Sequence, residues 1–128
     1  AVNKAMQLEP LRPMALALGD AAGQLQKATI HLFQLAANER PEVFLADATL
    51  YLELFGLVTI AWQWLLMAIA AQQALPESTG DREKAFYQGK ILTAQYFMEY
   101  ELSKTKGLLQ RLTSGERVTL NIQSPHFD

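Results

Sequence analysis

From Leu54 to Pro76 the chain carries no charged side chain. A helix over this stretch is apolar around most of its girth, so it must be wrapped by other helices or shared with a partner. One face carries Tyr51, Leu54, Phe55, Val58, Trp62, Leu65 and Ile69, and another carries Leu52, Leu57, Ile60, Trp64 and Met67. Only Thr49, Glu53, Gly56 and Gln63 form a narrow polar or small stripe. Length alone would let such a segment cross a bilayer. Gln63 lies at its centre, where lipid offers no partner. The tryptophans are also central, not at the interfaces, and Arg40 and Arg82 are the nearest cations. The expectation is therefore a buried helix and no membrane span.

Helical periodicity recurs on both sides of this segment. The first long helix runs from about Met14 to Asn38, with a stripe of Leu18, Ala22, Leu25, Thr29, Leu32 and Leu35. Gly19 and Gly23 leave little side chain on one face, which would suit close helix contact. Pro41 opens the second helix, Glu42 and Asp47 favour its positive end, and Pro76 closes it. Ser78 or Asp81 caps the third helix, which turns Phe86, Tyr87, Ile91, Ala94, Phe97, Met98 and Leu102 inward. Ser103 and Gly107 bend or split it before Gly115 ends it. The only strand-like run is Val118 to Ile122. The fold class is all-α: an up-down bundle of three long helices, the third split into two. One domain spans 1–128, with a lead-in over 1–13, the bundle over 14–115 and an irregular tail over 116–128. The chain begins at Ala1 in the middle of an apolar pattern, which suggests a piece of a longer protein.

Composition removes several functions. The net charge of −2 gives no electrostatic reason to bind nucleic acid. With no cysteine there is no thiolate metal site and no cysteine nucleophile. That fits a reducing compartment, and the expected location is cytoplasmic. His31 and His126 form no helical metal pair, so no metal site is expected. The serines lack a nucleophile-elbow context, and no phosphate-binding glycine loop occurs. Neither catalytic nor cofactor-binding residues are assigned. Lys104, Lys106, Arg111 and Arg117 read as dipole-complementing cations late in a helix.

Two features stand out from that background. Glu53 and Lys90 are charges set among apolar neighbours, and the expectation is a structural ion pair, in preference to a general base at Glu53. The aromatics Trp62, Trp64, Phe86, Tyr87 and Phe97 are candidates for an interface or a pocket, with core packing as the default. Trp62 and Trp64 differ by about 200° around a helix. One ring therefore points into the bundle and the other, taken as Trp64, toward a partner.

The run from Ala48 to Ala68, followed by Phe86-Tyr-Gln-Gly-Lys-Ile-Leu-Thr-Ala-Gln-Tyr-Phe97 and Glu101-Leu102, resembles the C-terminal domain appended to large acyl-CoA dehydrogenases. The likeness spans about Gln24 to Gly115 and is strongest to the branch similar to 3-methylmercaptopropionyl-CoA dehydrogenase. Where that family often carries Leu-Pro, this chain has Leu102-Ser103, without the proline that would break the helix sharply. The resemblance implies a parent that oxidises acyl-CoA thioesters to enoyl-CoA, with a glutamate base and FAD. Both lie upstream of the appended domain, and neither maps onto a residue here. It further implies a domain without catalysis of its own, whose partners are the rest of the parent chain and further copies in a homo-oligomer. Two other readings need no such parent: a freestanding dimerisation or adaptor bundle, and a small carrier of hydrophobic ligands.

Overall fold

In the computed structural model of the chain, residues 1–115 and 118–128 are described. The lead-in is helical and joins the core. Helix α1 (Val2–Gln7) buries Ala5 completely, and a 3-10 turn over Glu9–Leu11 buries Leu11 as fully. Helix α2 (Arg12–Asn38) follows with Pro13 in its first turn, where a missing N–H costs nothing.

The second predicted helix is two. Helix α3 (Pro41–Leu45) ends before Asp47, whose φ of −114° and ψ of 15° leave the helical region, and α4 (Ala48–Ala74) begins after it. Asp47 does not cap α4 with its side chain; it accepts hydrogen bonds from Arg111 Nη2 at 3.1 Å and Nε at 3.3 Å. The break thus coincides with a contact between a carboxylate and a cation 64 residues away. A 3-10 turn at Leu75–Glu77 ends the apolar run at Pro76.

Gly80, at φ +83°, is the N-cap of α5 (Asp81–Tyr96), a place an L side chain takes only with strain. Neither candidate cap from the sequence serves: Asp81 is already in the helix, and Ser78 Oγ donates to Leu75 O at 2.6 Å. One π-turn, Phe97–Glu101, and one 3-10 turn, Leu102–Lys104, then separate α5 from α6 (Thr105–Thr113). Buried Thr105 donates to Leu102 O at 2.7 Å, which satisfies its hydroxyl at this junction. Gly115, at φ +76°, follows α6 as anticipated. Val118–Asn121, the strand-like run, is instead a short helix α7, and Ser124–Phe127 is a 3-10 turn, so the tail is not wholly irregular. The described residues contain no strand.

The core lies between α2, α4 and the α5–α6 segment. Leu54 and Leu65 fill it with fully buried side chains, while Ala15, Ala28, Ala61, Ala68 and Ala94 are all at 0% exposure. Alanine at these positions lets helix backbones approach, since each adds only a methyl group to the interface. On α2 the buried line passes through Ala21 and Ala28; Ala22, assigned to the inward stripe from the sequence, is exposed. Thr29 Oγ1 and Tyr51 OH lie 2.7 Å apart, tying the second half of α2 to the start of α4. Leu18 and Ala22 share a groove with Val58 and Trp62, so the first half of α2 meets the middle of α4. Met14 lies with Met98, and Leu32 and Leu35 lie with Arg111 and Leu112.

Candidate interaction face

Helix α4 divides lengthwise. Leu54, Val58, Ala61, Leu65 and Ala68 turn into the core, but Leu52, Phe55, Ile60, Trp62, Leu66 and Met67 are exposed. Its span Ala48–Glu77 is long and apolar enough to cross a membrane, with 39% of the most apolar window buried within the protein. The outward half of α4 thus turns an apolar face to solvent, the kind of patch found at interaction sites on folded chains.

The tryptophans occupy the reverse of their expected places. Trp62 is 46% exposed and lines an open groove of about 430 Å³ with Val58, Leu18 and Ala22. Trp64 is half-buried and packs on the core. Both positions are apolar in the sequence, so only the placement of α2 and α5 decides which ring is covered.

On α5 the inward set is smaller than its pattern suggests. Phe86 is 59% exposed, with Tyr87 edge-on at 5.5 Å and the Lys90 ammonium 5.2 Å from its ring centroid. Tyr87 and Phe97 are half-buried, and Phe97 packs on the core. Tyr96 and Tyr100, one turn apart, stack at 4.7 Å on the outer surface. Gly89 and Thr93 receive no close neighbour: a Cβ built at Gly89 meets nothing within 4 Å, and Thr93 is exposed. Gly23 is equally open, so the close approaches on α2 and α5 fall at the buried Ala15, Ala28 and Ala94 and not at Gly23 or Gly89.

The expected pairing of Glu53 with Lys90 does not occur within the chain. Glu53 is exposed, and Lys90 lies over Phe86. The cation that Glu53 influences is Lys104, whose pKa is raised above the usual 10.5, first by its hydrogen bond to Glu101 at 2.8 Å and last by Glu53. The basic cluster read near the end of the third helix is likewise dispersed. Lys104 holds Glu101, Arg111 holds Asp47, Lys106 is exposed, and Arg117 falls outside the described residues.

His31 is half-buried, and its Nε2 is buried without a hydrogen-bond partner. Among the described residues no group of three His, Asp or Glu side chains is placed to hold a metal ion. Sequence reasoning missed the Asp47–Arg111 pair, which stands beside Leu32, Leu35, Val43 and Leu112. Each residue alone reads as a helix-end charge, and no local spacing links them. The Thr29–Tyr51 hydrogen bond was equally hidden, because both residues sit in apolar stripes.

These features define an all-α helical domain with a packed inner face and an apolar outer one. The chain belongs to the family described as acetyl-CoA dehydrogenase C-terminal like, whose pattern matches residues 1–123. No curated protein and no solved structure matches the chain.

Proposed function

We infer that this chain is the non-catalytic C-terminal helical domain of a flavin-dependent acyl-CoA dehydrogenase, on the branch similar to 3-methylmercaptopropionyl-CoA dehydrogenase. The parent oxidises an acyl-CoA to the enoyl-CoA in the cytoplasm, and this domain serves packing, subunit assembly or shaping of the active-site entrance. The observation that carries this reading is the family match over residues 1–123. The apolar outer face of α4 supports it, since exposed leucines and aromatic rings gain most from being covered by protein.

We assign FAD to the body of the parent and not to this domain. Lys104 and Arg111 are engaged by carboxylates, and Gly80 and Gly115 stand singly at turns with no glycine cradle around them. Such an arrangement does not fit a pyrophosphate.

The arrangement we propose for the helices is the up-down bundle. Thr29 meets Tyr51 while Leu18 meets Trp62, a register that runs in opposite directions along α2 and α4. The short connection between α4 and α5 at Gly80, together with the contact of α4 with the Phe97–Lys104 turns, supports the same reversal for the third helix.

The test is the intact mass and flavin content of the native polypeptide. We expect a product several times 14.3 kDa that carries flavin. A flavin-free native product of about 14.3 kDa overturns the reading.

A further inference from the structure

The outward half of α4 carries an ordered pattern. Leu52, Gly56, Thr59, Gln63, Leu66 and Ala70 recur at alternating intervals of four and three, the spacing of a seam between packed helices. All of them are exposed except Gly56, which is half-exposed. The seam extends about 27 Å at 1.5 Å per residue. It is also self-complementary about Ala61. Leu52 and Ala70 are equidistant from Ala61, as are Leu66 and Gly56, and Thr59 and Gln63. Each large side chain therefore has a small one at the mirrored position, and each polar side chain has a polar one.

We propose that this face binds a second copy of the chain through the same face, the two α4 helices antiparallel about a two-fold axis level with Ala61. The inference rests on the subunit-assembly role and up-down arrangement proposed above. Reversing one helix against another sets Leu52 over the second copy's Ala70 and Leu66 over its Gly56. Thr59 Oγ1 already donates to Phe55 O at 2.8 Å, so its lone pairs remain to accept from the second copy's Gln63 amide. Ile60 and Trp62 flank the axis and meet their own counterparts. An isologous contact needs this kind of self-complementarity.

Charge agrees with the size pattern. Glu53 stands at the start of α4 and Lys90 in the middle of α5, which packs along α4. Within the chain neither makes a salt bridge among the described residues. Antiparallel docking brings Glu53 of each copy to Lys90 of the other, which makes the pair an interchain contact. A lipid surface fits less well: the seam holds no lysine or arginine to meet headgroups and places Gln63 at its centre.

The experiment is sedimentation equilibrium of the 128-residue chain and its variants, with circular dichroism as the check on folding. The expected species is a dimer of about twice 14.3 kDa. Ala70→Glu, at an exposed position, weakens dimerisation at least about tenfold with the helical signal intact. Glu53→Lys and Lys90→Glu each weaken it by about two- to fivefold, and the double exchange restores it. In this cysteine-free chain, Ile60→Cys gives a disulfide-linked dimer on mild oxidation, whereas Leu92→Cys on the outer side of α5 does not. A chain that remains at 14.3 kDa at high micromolar concentration overturns the seam, as does a double exchange no better than either single one. Either result leaves the parent-enzyme assignment standing, because native mass and flavin decide that separately.

Discussion

The two halves of α4 are made of the same kinds of residue and meet opposite fates. The inner half packs Leu54 and Leu65 between alanines at full burial; the outer half leaves Leu52 at 68% and Phe55 at 50% exposure. Hydropathy does not distinguish them. What separates them is size at the crossing points: Ala61 and Ala68 admit neighbouring backbones, whereas the outer half alternates large and small in a way no helix of this chain fills. Apolar character all round a helix thus does not by itself say which of its faces the chain buries.

The sharpest way to break this contrast is to cut into the inner half. Leu65→Ala should destabilise the domain by about 2–5 kcal/mol, measured by urea denaturation. A loss below about 1 kcal/mol would show that the inner half is loosely packed after all. Next comes the tryptophan pair. Trp64→Ala should cost about 2 kcal/mol, since that ring rests on the core. Trp62→Ala should cost under about 0.5 kcal/mol and act instead on association. Equal losses at the two positions would erase the distinction between the halves.

Removing the Asp47–Arg111 pair by Asp47→Ala should cost about 1–2 kcal/mol, discounted because Arg111 is a third exposed. Amide exchange should quicken first at the α3–α4 break, and unchanged exchange there would separate that break from the ion pair. The smallest effect concerns Lys104. Its raised pKa means that its contribution is fully present below pH 10.5 and is lost as pH rises through the higher folded value. Lys104→Met should therefore leave stability between pH 6 and pH 9 without a new pH dependence, and remove only an alkaline component.

Much of this architecture is legible in the sequence. The prolines at 41 and 76 and the glycine at 115 mark helix ends by local chemistry, and the helices stop there. The division of the third helix is also legible from Ser103 and Gly107, although the turns that make it lie over Phe97–Lys104. Facing is a different matter. Trp62, Trp64 and Phe86 are apolar residues in apolar stripes, and their burial depends on where distant helices lie. The same holds for Asp47, which stands at a break in a predicted continuous helix and pairs with Arg111 from 64 residues away. The apolar outer face shows the limit most clearly: its pattern is plain in the residues, but its exposure depends on where the other helices lie.

The π-turn at Phe97–Glu101 has a consequence for how such a domain can change. It holds one more residue than a regular turn, so it acts as a local store of length between α5 and α6. Deleting a single codon there would restore a regular turn, because the π-turn takes up its extra residue locally, and α6 would keep its facing. The reach of Arg111 to Asp47 would survive, whereas a one-residue deletion within α6 before Arg111 would rotate it by about 100° and break the pair. Length variation at this point would be absorbed without re-aiming the end of the domain.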